Sequence, residues 1–174
     1  MAPETSVDLI QALEAGRQEL VSAVNGISEE QARTNPEPGR WSVVECLEHL
    51  TTVEEIFLGR LEQAPRTGAP PVDKHKEADL ARRIPDRTTK AKAPEKALPA
   101  GRFQTLAEAV EAFHSARNKT VGFAQLEAAN LYAIASEHPR FGPMNGTEVL
   151  VFMNGHARRH TAQIREVRSA LGIK

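Results

Sequence analysis

The chain has 174 residues, 40% hydrophobic and 26% charged, with a formal net charge of −1 at pH 7 and a single cysteine, Cys46. That balance fits one compact domain over 1–174, and it excludes an extensively disordered chain or a global basic field that would draw the protein onto nucleic acid or an anionic membrane. One cysteine closes no internal disulfide, no charged-then-apolar leader opens the chain, and no apolar run approaches the roughly 18 residues of a membrane span, so a cytoplasmic protein is expected.

The first periodic stretch places Val7, Ile10, Leu13, Leu20, Val21 and Val24 at three- and four-residue steps, one face of a helix that Asn25-Gly26 ends. A short ISEEQA segment follows, in which Ser28 and Gln31 have capping-box spacing. The second long helix is expected to start at Ser42, with Glu45 reaching back as the other half of a capping box and Trp41 packing on Cys46 as a hydrophobic staple. Val43, Leu47, Leu50, Phe57 and Leu61 form its main apolar line and Cys46, Val53 and Ile56 a second, an arc wide enough for more than one neighbour.

Between Pro65 and Phe103 lie six of the eleven prolines and ten Lys/Arg against five Asp/Glu. Only HKEADLARRI can make a short helix here, and a connection this long is either functional or a solvated tether. Its basic residues have almost no aromatics among them for base stacking, so the tether is preferred over a nucleic-acid site. A third long helix starts near Thr105, three residues before Glu108, and runs through Leu106, Val110, Phe113, Thr120 and Ala124. A HPRFGP turn region leads to the last helix, from about Asn145 to Leu171. Four long amphipathic helices and no convincing strand predict an all-α four-helix bundle.

On the last helix, Val149, Met153, His156, His160, Gln163, Val167 and Ala170 fall on a single seam. Three successive seam positions are polar, and a buried polar side chain without partners costs about 1–3 kcal/mol, so packing alone does not account for them. Histidines at i and i+4 have Cβ atoms about 5–6 Å apart on one face, a separation that lets both rings converge on one metal ion. The competing reading is a pair bonded to carboxylates or lying at a solvated edge. Of the other histidines, His75 in the polar loop and His138 before Pro139 are assigned to the surface, and His114 to a solvated or hydrogen-bonded state at the core edge. His49 differs: it lies in the second helix, flanked by Leu47 and Leu50, where a free imidazole needs a partner.

Three motifs carry a resemblance: WSVVECLEHL at 41–50, PRFGPMNG at 139–146 leading into a helix, and GHARRHTAQI at 155–164. Together with APEKALPAGRF at 93–103 and AFHSAR at 112–117, they make the chain resemble the DinB/YfiT-like family of small helical proteins regarded as metal-dependent enzymes. The resemblance covers nearly the whole chain. It implies a four-helix bundle of up-down-down-up connectivity, a long crossover between helices two and three, and a homodimer. It also implies a three-histidine metal site, carried over motif by motif to His49, His156 and His160.

Three neutral imidazoles leave a divalent ion uncompensated and with an open coordination position, the arrangement of catalytic sites. Zinc or nickel is expected, and iron, manganese or cobalt is compatible with the ligands. A bound water would have its pKa lowered towards roughly 7, and a bound thiol would be held as thiolate. The resemblance therefore implies either thiol-dependent S-transferase chemistry with a low-molecular-weight thiol or hydrolysis, on a small-molecule substrate and with no nucleic-acid or membrane partner. Gln163, on the ligands' seam, and Arg159 and Asn154 nearby are candidate supporting groups. Arg117 interrupts the apolar line of the third helix; an anion-binding role competes with a buried stem and solvated head, and the second is preferred. Glu45 is assigned to capping rather than to a ligand imidazole. The reading from another class is a non-catalytic dimeric bundle, stress-associated or binding, whose metal is structural or absent.

Overall fold

The computed structural model describes residues 6–174, and the side chain of Val7, placed above on the first apolar face, lies outside the described residues. Helix α1 spans Ser6–Val24 and buries Leu9, Leu13, Leu20, Ala23 and Val24, after which Gly26 takes a positive φ of 76° that ends the segment. The short α2 (Glu29–Arg33) has its Ser28/Gln31 capping box, as expected. Helix α3 (Val43–Gln63) starts at the Ser42/Glu45 box: Oε2 of Glu45 accepts from Ser42 N at 2.7 Å, and Ser42 Oγ accepts from Glu45 N at 3.2 Å. The capping role assigned to Glu45 is thus present. Helix α4 (Lys74–Arg83) is the predicted short helix of the crossover, capped by Asp73. Helix α5 (Leu106–Leu126) has the Thr105/Glu108 box, and Glu29 of α2 accepts from Leu106 N at 2.7 Å, satisfying another free donor of its first turn.

One element departs from the all-helical expectation. Strands β1 (Ala135–His138) and β2 (Gly142–Asn145) pair antiparallel, with Ala135 opposite Asn145 and His138 opposite Gly142. Each strand is four residues long, too short for an alternating pattern to stand out, and only the turn at Pro139 to Gly142 is visible in the sequence; Gly142 supplies the positive φ, 68°. Asn145 then caps helix α6 (Gly146–Ala170), accepting from Glu148 N at 3.0 Å, so strand and helix join without a linker. Among the described residues no helix is long and apolar enough to cross a membrane.

Two apolar clusters fix the directions of the long helices. One joins Leu9 and Leu13 of α1, Val53 to Leu61 of α3, Val121 and Ala124 of α5, and Val149 to Met153 of α6. The other joins Leu20 to Val24, Val43 to Leu50, Leu106 to Phe113, and Ala157 to Val167. The early part of α1 and of α6 therefore lies beside the late part of α3 and α5, which is the up-down-down-up bundle. Helix α4 lies on the outside of α6, where Gly155 admits it: a Cβ there would come within 2.8 Å of Ile84 Cβ.

A buried ion pair joins α5 to α3. Arg117 is 0% exposed and donates from Nε and Nη2 to the two oxygens of Glu54, at 2.6 and 3.1 Å, and from Nη1 to Leu13 O at 3.1 Å. The expectation that its head reaches solvent is therefore corrected. The stem is buried as predicted, but α5 faces α3 at this level, so the guanidinium meets a carboxylate instead of water. Removing one partner of such a pair strands a charge, which costs about 3–5 kcal/mol, whereas replacing both by apolar groups costs far less. Glu54→Leu alone should lower the denaturation midpoint severely, and Glu54→Leu combined with Arg117→Met should recover most of it; equal losses would contradict the pairing.

Candidate metal centre

His49 comes from the first half of α3, and His156 and His160 from successive turns of α6, which runs antiparallel beside it. The structure brings these three rings together. Nε2 of His156 lies 3.1 Å from Nε2 of His49 and 3.2 Å from Nε2 of His160, and one ligand atom from each ring falls within 4.8 Å of the others. Two imidazole nitrogens on one tetrahedral zinc stand about 3.3 Å apart, given Zn–N lengths of about 2.0–2.1 Å, so the observed spacing is close to a ligand set.

Hydrogen bonding at the far side of each ring decides what those nitrogens are. Nδ1 of His49 faces the carbonyl of Ala97 at 2.7 Å, and a carbonyl only accepts, so Nδ1 carries the hydrogen and Nε2 a lone pair. Nδ1 of His160 donates likewise to Gln163 Oε1 at 2.8 Å. Two lone pairs therefore point at His156 Nε2, which has at most one proton to offer. At least one close N···N contact sets lone pair against lone pair unless a cation lies among them. The donor set fits a divalent transition metal, with both flanking rings held in the ligating tautomer by outer partners.

Burial keeps the rings neutral, the state that metal binding requires. His156 is held well below its usual pKa by burial and then by the nearby His160 and His49, and His160 is pushed down to about 3, again by burial first. His49 is lowered by burial against an opposing contribution from its bond to Ala97. Trp41, the chain's one tryptophan, covers the cluster, its ring centroid 4.9 Å from His49 and 6.0 Å from His160. It thus serves the site as well as packing on the cluster that contains Cys46. Phe152 stacks on His156 from the preceding turn, at 5.7 Å and 28°.

The sequence pattern of the DinB superfamily matches residues 12–164, nearly the full length of the bundle and all three histidines. The chain belongs to the DinB superfamily. A protein of Bacillus subtilis (strain 168), YuaE, described only as uncharacterized, is 24% identical over 156 residues, covering 89% of this chain and 94% of its own. Among solved structures, YfiT from Bacillus subtilis superposes with a TM-score of 0.64 at 16% identity, over 100% of this chain and 91% of that one. It is described as a probable metal-dependent hydrolase with an unusual four-helix bundle topology. The four-helix bundle protein TT2238 superposes with a TM-score of 0.56 at 17% identity, over 95% and 99% of the two chains.

Within this DinB bundle the predicted supporting residues separate. Gln163 touches a triad ring, as described. Asn154 does not: its Oδ1 accepts from Arg117 Nη1 at 3.5 Å and lies against Gly16 of α1, because one further step around α6 faces a different neighbour. Arg159 is near the triad but its guanidinium donates to the carbonyls of Asp86 and Thr89, so it holds the crossover rather than facing a ligand. His75 is exposed on α4 and His114 half-buried on α5, neither in the cluster.

The surface assignment of His138 is corrected. The β-hairpin lays its ring among Phe57 (5.3 Å, 9°), Phe152 (4.5 Å) and Phe141 (4.7 Å), a contact that turn chemistry alone does not announce. Its Nδ1 accepts from Arg140 N and Phe141 N, at 3.0 and 3.3 Å, and burial together with Arg60 and Arg140 pushes its pKa down to about 4. Two further contributors carry no mark in the sequence. Ala97 acts through a backbone carbonyl, which leaves no side-chain signal, and Arg87, whose Nη1 donates to Gln163 Oε1, is one of ten cations between Pro65 and Phe103.

These depressed values predict acid sensitivity. An unfolded histidine takes up its proton near 6.5, whereas in the folded protein His138 waits until about 4 and His160 until about 3. Below 6.5 the unfolded state binds more protons, so stability falls as the pH drops towards 4, by at most about 1.4 kcal/mol per pH unit for each group. Metal-free protein should melt at a lower temperature at pH 5 than at pH 7.5, and His138→Phe should show a shallower fall. Equal melting temperatures at the two pH values would contradict buried neutral rings.

Proposed function

We propose that the protein is a metal-dependent hydrolase of a small molecule, with His49, His156 and His160 holding one divalent transition-metal ion, zinc or nickel. The approach of His49 Nε2 and His160 Nε2 to within 3.1 and 3.2 Å of His156 Nε2, both of them lone-pair bearing by their hydrogen bonds, carries this reading. No carboxylate oxygen belongs to the group among the described residues. When bound by three neutral imidazoles the ion keeps its charge and an open position, and supplies Lewis acidity towards a carbonyl or phosphoryl oxygen.

The chain's own residues prepare that position. Ala97 O and Gln163 Oε1 keep the His49 and His160 hydrogens outward, so neither ring rotates its N–H into the centre. Trp41 and Phe152 close apolar surface over two sides of the cluster, which lowers the local dielectric and strengthens electrostatic interactions inside. His156 is half-buried where the other two residues are buried, so it is the most accessible of the three. Hydrolysis is preferred because the structural relative YfiT is described as a probable metal-dependent hydrolase. Transfer of a low-molecular-weight thiol remains the second reading of the same ligand set, since the open position accepts a sulfur ligand equally.

Metal analysis of the purified protein should find about one transition-metal ion per chain, lost in both His49→Ala and His160→Ala. Full occupancy in either variant would sink the three-ligand site. With metal bound, activated esters or amides should be hydrolysed and the activity lost in both variants. Thiol conjugation to an electrophile without hydrolysis would replace the hydrolase reading by the transferase one, and inactivity in both panels would leave a structural metal.

A further inference from the structure

The hydrogen bond that sets the tautomer of His160 depends on a choice the glutamine cannot make alone. The two ends of an amide have nearly the same shape, and only its oxygen can accept from Nδ1. Turned round, the amide would present N–H to Nδ1, the ring hydrogen would move to Nε2, and that hydrogen would point into the triad. A second contact settles the orientation: Arg87 Nη1 donates to the same Oε1 atom at 3.2 Å, and a guanidinium is a donor only. Arg87 is itself fixed, since its Nε and Nη2 donate to the two oxygens of Glu166 at 2.7 and 2.8 Å.

We propose that Arg87 is a positioning residue for the triad: braced by Glu166, it turns the Gln163 amide so that its oxygen faces His160 Nδ1 and the His160 lone pair faces the metal position. The proposal rests on the metal-site reading above and adds the crossover to it. Arg87 lies in that crossover, and Arg159 fastens the same stretch through the carbonyls of Asp86 and Thr89, while Ile84 is seated against Gly155. Undocking of residues 84–89 would free the amide, so metal affinity reports whether the crossover is seated. The arginine fork suits the task because it reaches a carboxylate and an amide oxygen at once, which a lysine point charge does not.

The test is a double-mutant cycle on cobalt(II) affinity, measured by competition and by the absorption of the bound ion. Arg87→Ala should weaken binding about tenfold or more, the range in which outer partners of ligating histidines act. A carboxylate at position 163 has two equivalent acceptors and no orientation to choose, so in the Gln163→Glu background the same Arg87→Ala change should cost less than about threefold. Equal losses in the two backgrounds, or no loss in the first, would overturn the proposal. A readout without metal accompanies it. Nitrogen-15 NMR of the metal-free protein should show His160 as the Nδ1–H tautomer, and Arg87→Ala should mix the two tautomers; an unchanged ring would overturn the proposal too. If the wild-type protein binds no cobalt, the metal reading fails while the NMR arm still decides the role of Arg87.

Discussion

Two imidazole hydrogens committed outward, one to Ala97 O and one to Gln163 Oε1, are what the architecture of the site depends on. Once those bonds exist, the Nε2 atoms of His49 and His160 are left with lone pairs that face His156 Nε2. Keeping the acceptors in place is the work of the crossover. Glu48, buried beside His49, accepts from Ala100 N at 2.6 Å and Arg102 N at 3.0 Å, which seats the Ala97 carbonyl over α3. Arg102 adds a two-pronged bridge to Glu55, at 2.7 and 2.8 Å. On the other side Lys76 of α4 reaches Glu148 at the start of α6, at 2.8 Å. A segment whose composition suggests a solvated tether is thus tied to both helices that carry the histidines.

Among the buried polar groups of the described residues, those around Arg117 and around His156 differ in how their members are matched. Around Arg117 donors and acceptors balance: a guanidinium meets one carboxylate, one backbone carbonyl and one amide oxygen. Nothing is left over there for a ligand, and the group specifies how α3, α5 and α1 register. Around His156 acceptors outnumber donors. Such an imbalance in a buried place is what separates a site awaiting a cation from a polar contact that merely holds helices together.

What was legible in the sequence follows the range of the interaction that encodes it. Helix starts were readable because a capping box is complete within four residues, at Ser28, Ser42 and Thr105 alike. The pairing of His156 with His160 was readable because i and i+4 share a face. His49 entered as a buried imidazole without a partner, and resemblance to a family joined it to the others. Features that depend on distant partners were not readable: Arg117 was assigned to solvent because Glu54 stands 63 residues away, and His138 because two of its aromatic neighbours, Phe57 and Phe152, come from α3 and α6. The hairpin escaped because four residues hold only two turns of an alternating pattern. Asn154 and Arg159 show the limit of helical counting, which gives the face of a side chain but not the neighbour that face meets.

The parallel course of α3 and α5 has a consequence for how the protein comes to be folded. A 21-residue helix is about 30 Å long, and a chain that leaves one end of α3 to begin α5 at the other must travel that length outside the bundle. Contacts between those two helices are therefore remote in sequence, and loop closure delays such contacts in folding. The segment that makes this journey is also the one that carries Ala97 and Arg87, so the length of the return leg is what brings both of these contacts alongside α3 and α6.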